Sequence, residues 1–218
     1  MGHSTDIELI ILATTKVGDS SAVIHTLSRE YGRRSFIVSI GKNTRMSLFL
    51  PLNILQCKVM ENPRTDLWRA SSFTSVFPLN GLRSDIRKNT ITLFLSEVLY
   101  RSLHDGVYED HLYEWCKEMI LTLDSLTDDY ASFHLRFLFE YAAVLGFSPD
   151  IESLAPFAGE HYEDIRNLLE ADLTGFLLYP LNGTSRSEIA EALLEYLGVH
   201  LDYHLNIQSL DVLRELFR

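Results

Sequence analysis

Cysteine is nearly absent from this chain: among 218 residues only Cys57 and Cys116 occur. They lie far apart, with no C-x-x-C or Cys/His spacing, which argues against a disulfide framework and against a structural zinc site. Nowhere do roughly 18 apolar residues follow one another, so no membrane-spanning helix is expected. The opening MGHSTDIELI carries neither the basic nor the apolar region of a secretory signal, and a cytoplasmic protein is expected. Repeats and low-complexity tracts are missing. So is a G-x-x-x-x-G-K-[ST] loop, which means that Gly41-Lys42 is no nucleotide cradle, and Ser20-Ser21 lacks the context of a nucleophile elbow. A metal hydrolase would have to be built on His104, Asp105, Glu109, Asp110 and His111, or on His200 and His204 at helical i,i+4 spacing. The first set reads as an acidic loop joining two helices, and neither matches H-E-x-x-H or a comparable ligand pattern. The expectation is a protein that is not an enzyme, with no catalytic residue, metal or cofactor.

What is present is a hydrophobic content of 46%, enough to bury a sizeable core in one domain or two. The net charge of −11 argues at first against nucleic acid, since binding it is mostly a matter of neutralising phosphates. Its distribution reverses that impression. Residues 1–90 hold 12 Lys and Arg against 7 Asp and Glu, whereas residues 91–218 hold 7 against 23. The first part can meet a polyanion and the second cannot, which suggests two surfaces with different partners.

Short β-rich runs occupy 6–14, 21–28, 34–40, 47–60 and 67–76, separated by turn formers at Gly18-Asp19, Tyr31-Gly32, Gly41-Lys42-Asn43 and Asn62-Pro63. In 34–40, Phe36, Val38 and Ile40 alternate with Ser35, Ile37 and Ser39, the period of two that a half-buried strand needs. Five such strands in about 80 residues fit an OB-type barrel, a fold that often binds oligonucleotides; an SH3-like barrel or a small sandwich fits the same strands. After Pro78-Leu79-Asn80-Gly81 the period changes. Ser84 is placed to cap a helix in which Ile91, Leu95, Val98 and Leu99 recur, and further helices are expected over 109–126, 130–145, 162–171, 187–202 and 208–217. The third of these six is apolar on nearly every side and ends at Gly146, a C-cap glycine. Segment 147–160, with Pro149, Pro156 and Gly159, reads as a loop. The fold class is therefore α+β: a five-stranded OB-fold barrel over residues 1–80, followed by an α-helical domain over 81–218.

On or beside the expected turns of the barrel lie Lys16, Arg29, Arg33, Arg34, Lys42 and Arg45. Cations in such places can follow a flexible strand without reading its sequence, and an arginine fork can meet two phosphate oxygens. These six are the candidate DNA-binding residues, set against ordinary solvated charge. Tyr31 is a candidate for stacking on a base; Phe36, sharing a face with Val38, reads as core. Arg136, on the apolar helix 130–145, either receives an acidic peptide tail or pairs with a nearby Asp or Glu within the fold.

Four segments, VGDSSAVIHTLSREYGRRSFIVSIGK (17–42), MSLFLPLNIL (46–55), FHLRFLFEYAAVLGFSPDIE (133–152) and HLNIQSLDVLRELF (204–217), carry a resemblance to the RecO family of recombination mediators. The Gly18-Asp19-Ser20 turn, the Tyr31-Gly32 turn, Gly41-Lys42 and the Leu-Gly-Phe-Ser-Pro-Asp segment at 145–150 follow the family's order, over most of the chain. The resemblance implies a nucleoid-associated protein that binds single- and double-stranded DNA and anneals complementary strands. It also implies work with RecR to load RecA onto strands covered by single-strand-binding protein, whose acidic tail would be the peptide met by Arg136. One departure is plain: many members carry four zinc-binding cysteines after the segment matching Gly146-Phe147-Ser148-Pro149, and SLAPFAGEHYEDI contains none. The resemblance therefore implies a zinc lobe absent or replaced by hydrophobic packing. The alternative function, encouraged by the acidic total charge, is a protein-interaction adaptor whose barrel no longer binds DNA.

Overall fold

The computed structural model describes residues 4–42, 44–62, 64–106 and 111–217. Glu109 and Asp110 of the acidic-loop set, and Asn43 and Pro63 of two expected turns, lie outside the described residues. The chain divides into two compact units. The first comprises residues 1–80 together with Leu99–Ile120, and the second comprises Gly81–Val98 and Leu121–Arg218. The expected boundary near residue 80 thus marks one edge of the first unit, which also takes in the helical stretch 99–120.

The first unit is built on β1 (Ser4–Val17), β2 (Ser21–Ser28), β3 (Gly32–Ser39), β4 (Ile54–Met60) and β5 (Trp68–Ser75). They close into a barrel in the order β1-β2-β3-β5-β4, with β1 also pairing β4. All pairings are antiparallel except β3 with β5. That order is an OB fold, and the SH3-like and sandwich alternatives fall away. Alternation decides which side chains fill it: Leu9, Ile11, Ile24, Phe36, Val38, Leu55 and Val59 all point inward and are buried. The run read as one strand over 47–60 is two elements. Met46–Phe49 form a 3-10 helix, and Leu52 takes a φ of +60° before β4 begins. Pro51 in that run is the reason in the sequence, since it cannot donate to a ladder.

The helices are α1 (Asn80–Ser84), α2 (Ile86–Ser102), α3 (Leu112–Ser125), α4 (Phe133–Val144), α5 (Ile151–Ala158), α6 (Tyr162–Glu170), α7 (Leu173–Leu178), α8 (Gly183–His200) and α9 (Ser209–Leu216). Ser84 does not cap α2; Asp85 does, accepting the backbone N–H groups of Arg87 at 2.8 Å and Lys88 at 3.4 Å. Within the second unit α4 buries Phe133, Leu135, Phe137, Leu138, Phe139 and Tyr141, and it packs on α7 and α8. Gly146 ends it with a φ of +86°. The Gly146 and Phe147 N–H groups close back on Ala143 and Ala142. Lys88, 4% exposed, spends its ammonium on the carbonyls of Asp124 and Leu126 at the C-terminal end of α3, where a cation is favoured. Glu97 accepts the N–H of Ser209 at 2.8 Å and its hydroxyl at 2.6 Å, so a side chain of α2 caps α9.

The stretch read as a loop over 147–160 contains α5. Asp150 accepts the Ser153 N–H at 2.8 Å, and the Ser153 hydroxyl is bonded by the Asp150 N–H at 3.0 Å, a complete capping box. Asp172 and Asn182 cap α7 and α8 by the single bond, accepting the N–H groups of Gly175 and Ser185. Where the resemblance expects a zinc lobe, Leu154, Ala158, Ile165, Leu168 and Phe176 pack into a buried helical layer. No cysteine is available there for a thiolate zinc site, and Cys57 and Cys116 are buried elsewhere; burial pushes the Cys57 thiol up to about 12. The thiolate set is therefore missing; the metal-capable donors that come together there are Glu160, His161 and Glu188, within 4.8 Å of one another. His161 bonds Glu188 at 2.7 Å and Asp164 at 3.2 Å; burial works against its charged form, but the two carboxylates hold its pKa above the usual imidazole range. No helix among the described residues is long and apolar enough to cross a membrane.

Candidate nucleic-acid interface

Because Phe36 and Val38 point into the barrel, Arg33 and Ser35 point out from β3, beside His25 of β2. That face is only partly open to solvent. Residues of the 99–106 stretch, in the same unit, cover it: Arg33 is 4% exposed and its Nη1 lies 2.8 Å from Asp105 Oδ1, with its guanidinium 5.2 Å from the Tyr100 ring centroid. The Ser35 hydroxyl donates to the other Asp105 oxygen at 3.2 Å, His25 Nδ1 is 2.9 Å from the same hydroxyl, and Gly106 N–H reaches the Arg33 carbonyl. Burial drives the pKa of Arg33 down against the pull of Asp105, and that of His25 down as well, with Arg33 adding to the effect. Arg33 was expected to meet phosphate; its position makes it an internal clamp instead. Asp105, one of the acidic-loop residues, is its partner.

The other candidates separate into engaged and free cations. Arg29, on the β2–β3 turn, pairs with Glu114, which raises its pKa, and lies 5.8 Å from the Tyr113 ring centroid. Arg34 shares the inward parity of Phe36 and lies flat over Trp68, 3.4 Å from the ring centroid, with Nη2 donating to the Asp66 carbonyl. Tyr31 meets Trp68 edge-on at 5.2 Å and donates to Glu61. Tyr31 and Trp68 pack against the barrel core, and Phe36 is core as expected. Lys16, Lys42 and Arg45 are exposed and make no ion pair among the described residues.

Arg45 is not alone. It lines a groove of about 630 Å³ with Arg69, which donates to Ser39 Oγ at 3.0 Å, and with Phe49, Phe73 and the hydroxyls of Ser71 and Ser72. Sequence reasoning missed Arg69, placing it simply within a strand. The signal was the run Arg-Ala-Ser-Ser-Phe-Thr-Ser, too poor in apolar residues for a strand buried on both faces.

In the second unit Arg136 stands beside a smaller groove of about 330 Å³ with Phe139, Ala143, Pro149, Leu168 and Phe176. Its Nε pairs with Glu140 four residues on, Nη1 donates to the Ala171 carbonyl at 3.3 Å, and the guanidinium lies 5.5 Å from the Phe176 centroid. The pairing within the fold and the place beside an apolar groove therefore coexist. His200 and His204 do not share a helical face, because α8 ends at His200, where Leu201 N–H closes on the Leu197 carbonyl. His200 Nδ1 is 2.9 Å from the Tyr196 carbonyl.

Comparison with known proteins gives one family. The model of the recombination protein O C-terminal region matches residues 83–155. A DNA repair protein RecO of Phocaeicola vulgatus is 28% identical over 95% of this chain and 97% of its own length. One from Bacteroides fragilis shows the same identity and coverage. One from Porphyromonas gingivalis is 32% identical over 66% of this chain and 61% of its own.

Proposed function

Because this chain belongs to the RecO family, we propose that it serves DNA repair as a recombination mediator: it binds single- and double-stranded DNA, anneals complementary strands and, with RecR, helps load RecA onto strands covered by single-strand-binding protein. The observation that carries the DNA-binding part is the set of cations on an OB barrel, Lys16, Lys42, Arg45 and Arg69, that no carboxylate among the described residues neutralises. In a protein with a net charge of −11 such unpaired cations are a resource. Annealing on this reading makes no bond. The barrel lowers the repulsion between two phosphate backbones, and base pairing supplies the free energy. The test is the salt dependence of oligonucleotide binding by the whole chain, with and without these four cations.

The acidic helical part would repel DNA and leaves that surface to proteins. Arg136 beside its apolar groove supports the docking of a peptide with acidic and apolar side chains, the chemistry of the tail of a single-strand-binding protein. A carboxylate would replace or share the Glu140 contact while apolar side chains meet Phe139, Leu168 and Phe176. Arg136→Ala is expected to weaken binding of such a peptide by about tenfold or more, the worth of one charge-assisted hydrogen bond, with oligonucleotide binding unchanged. Calorimetric titration of both variants decides it; equal peptide affinity removes Arg136 from the partner site.

A further inference from the structure

We infer that the groove beside β5 holds the sugar-phosphate backbone of a single DNA strand, so that nucleic acid follows β5 and not the outer face of β2 and β3; the inference rests on the DNA-binding function proposed above. An OB barrel commonly offers the face of its second and third strands to an oligonucleotide. Here the chain itself occupies part of that face, through Tyr100, Asp105 and Gly106 against His25, Arg33 and Ser35. A strand entering there would have to displace a buried arginine from its carboxylate.

The β5 groove has no such occupant. β5 pairs with β3 at Phe36 with Trp68 and Ile37 with Arg69, and beyond Arg69 its β3-facing edge has no strand beside it among the described residues. The ladder to β4 is interrupted between Gln56 and Lys58, and opposite this irregularity Ser72 takes a φ of +58°. Bulges of this kind re-aim side chains. The opening is lined by Arg45 and Arg69 and by Ser39, Thr44, Ser71 and Ser72, and no Asp or Glu among the described residues lines it. Guanidinium forks and hydroxyls are donors suited to phosphodiester oxygens.

The apolar part of the lining is Leu48, Phe49 and Phe73. Phe73 is half-buried and stands edge-to-face on Phe49 with centroids 4.9 Å apart, leaving some of its surface toward the groove. An unstacked base has a π-face to lay on such a surface, and a base inside a duplex has not. Two cations for the backbone and one aromatic for a base therefore favour a single strand, without sequence preference. An acidic peptide added to the β5 edge would also meet the two arginines; the oligonucleotide titration and the crosslink positions separate the two occupants.

The experiment uses the full chain, its Arg45→Ala/Arg69→Ala variant and Phe73→Leu, each checked by thermal melting. A fluorescent oligothymidylate is titrated at several salt concentrations, and a bromodeoxyuridine-substituted oligonucleotide is photo-crosslinked and mapped. The double variant is expected to lose affinity at least tenfold, with a log–log salt slope shallower by about 1.4, roughly 0.7 for each phosphate released. Phe73→Leu is expected to keep the wild-type slope while losing about fivefold or more, and crosslinks fall within residues 69–75. If both variants bind like wild type and crosslinks map elsewhere, the groove is not the path, although DNA binding stands. If the wild type binds no oligonucleotide at low salt, the underlying function fails, and with it this inference, including when an acidic peptide proves to be the occupant.

Discussion

Arg33→Ala is expected to destabilise the protein by about 2 to 3 kcal/mol, lowering the melting temperature by roughly 5 to 10 °C, while the salt slope of oligonucleotide binding stays at its wild-type value. The side chain is 4% exposed, so its truncation empties a packed volume against Tyr100 and removes the ion pair that ties residue 105 to the barrel. Asp105 keeps 59% of its side-chain surface in water and can be rehydrated, which holds the cost below that of stranding a fully buried charge. Arg33→Lys keeps the charge but not the planar guanidinium that lies 5.2 Å from the Tyr100 ring centroid, and an intermediate loss is expected. Thermal melts with oligonucleotide titrations on the same samples check this. A stable Arg33→Ala protein with a shallower slope would make Arg33 a phosphate contact after all.

Gly81→Ala is expected to cost about 3 kcal/mol or more, through overlap and not through backbone freedom. A Cβ at this position would run into the carbonyl oxygen of Asp124 and sit 3.0 Å from the carbonyl carbon. The same aspartate accepts the Leu82 N–H at 2.8 Å, and its carbonyl accepts the Lys88 ammonium at 3.0 Å, so the neighbour cannot withdraw without breaking both. Gly41→Ala is the matched control. Among the described residues nothing stands within 4 Å of a Cβ there, and a change within about 0.5 kcal/mol is expected. Denaturant unfolding of the two variants compares them directly; equal midpoints would mean that the α1–α3 junction is looser than its hydrogen bonds imply.

The barrel was legible because alternation and turn residues are local signals. Phe36 and Val38 against Ser35 and Ser39 already state which face is inside, and five such runs in about 80 residues leave few ways to close a sheet. Helix α5 was hidden by Pro149, Pro156 and Gly159, although the capping pair Asp150 and Ser153 was present in the sequence. Proline at position 156 removes one N–H but does not prevent a two-turn helix whose start is fixed by a complete box. The fate of the cations was not legible. Whether Arg33 faces phosphate or protein depends on Asp105, some 70 positions away, and Arg34 lies flat because Trp68 arrives from β5. Arg45 and Arg69 meet at one groove only because the barrel closes β3 on β5. Charge count marks the first 90 residues as the place to look for a nucleic-acid candidate; closure of the sheet decides which of their charges remain free.

DNA binding as proposed depends on those free charges. The measurement that tests it most directly is the affinity of the whole chain for a fluorescent single-stranded oligonucleotide across a salt series, beside a folded variant carrying Lys16→Ala, Lys42→Ala, Arg45→Ala and Arg69→Ala. With four to six phosphates engaged, the wild-type log–log slope is expected at roughly −3 to −4, and the variant should lose most of that slope and at least a hundredfold in affinity at low salt. Binding that ignores salt, or a wild type that binds no oligonucleotide at low salt, would contradict the account and leave a protein-binding adaptor in a RecO fold.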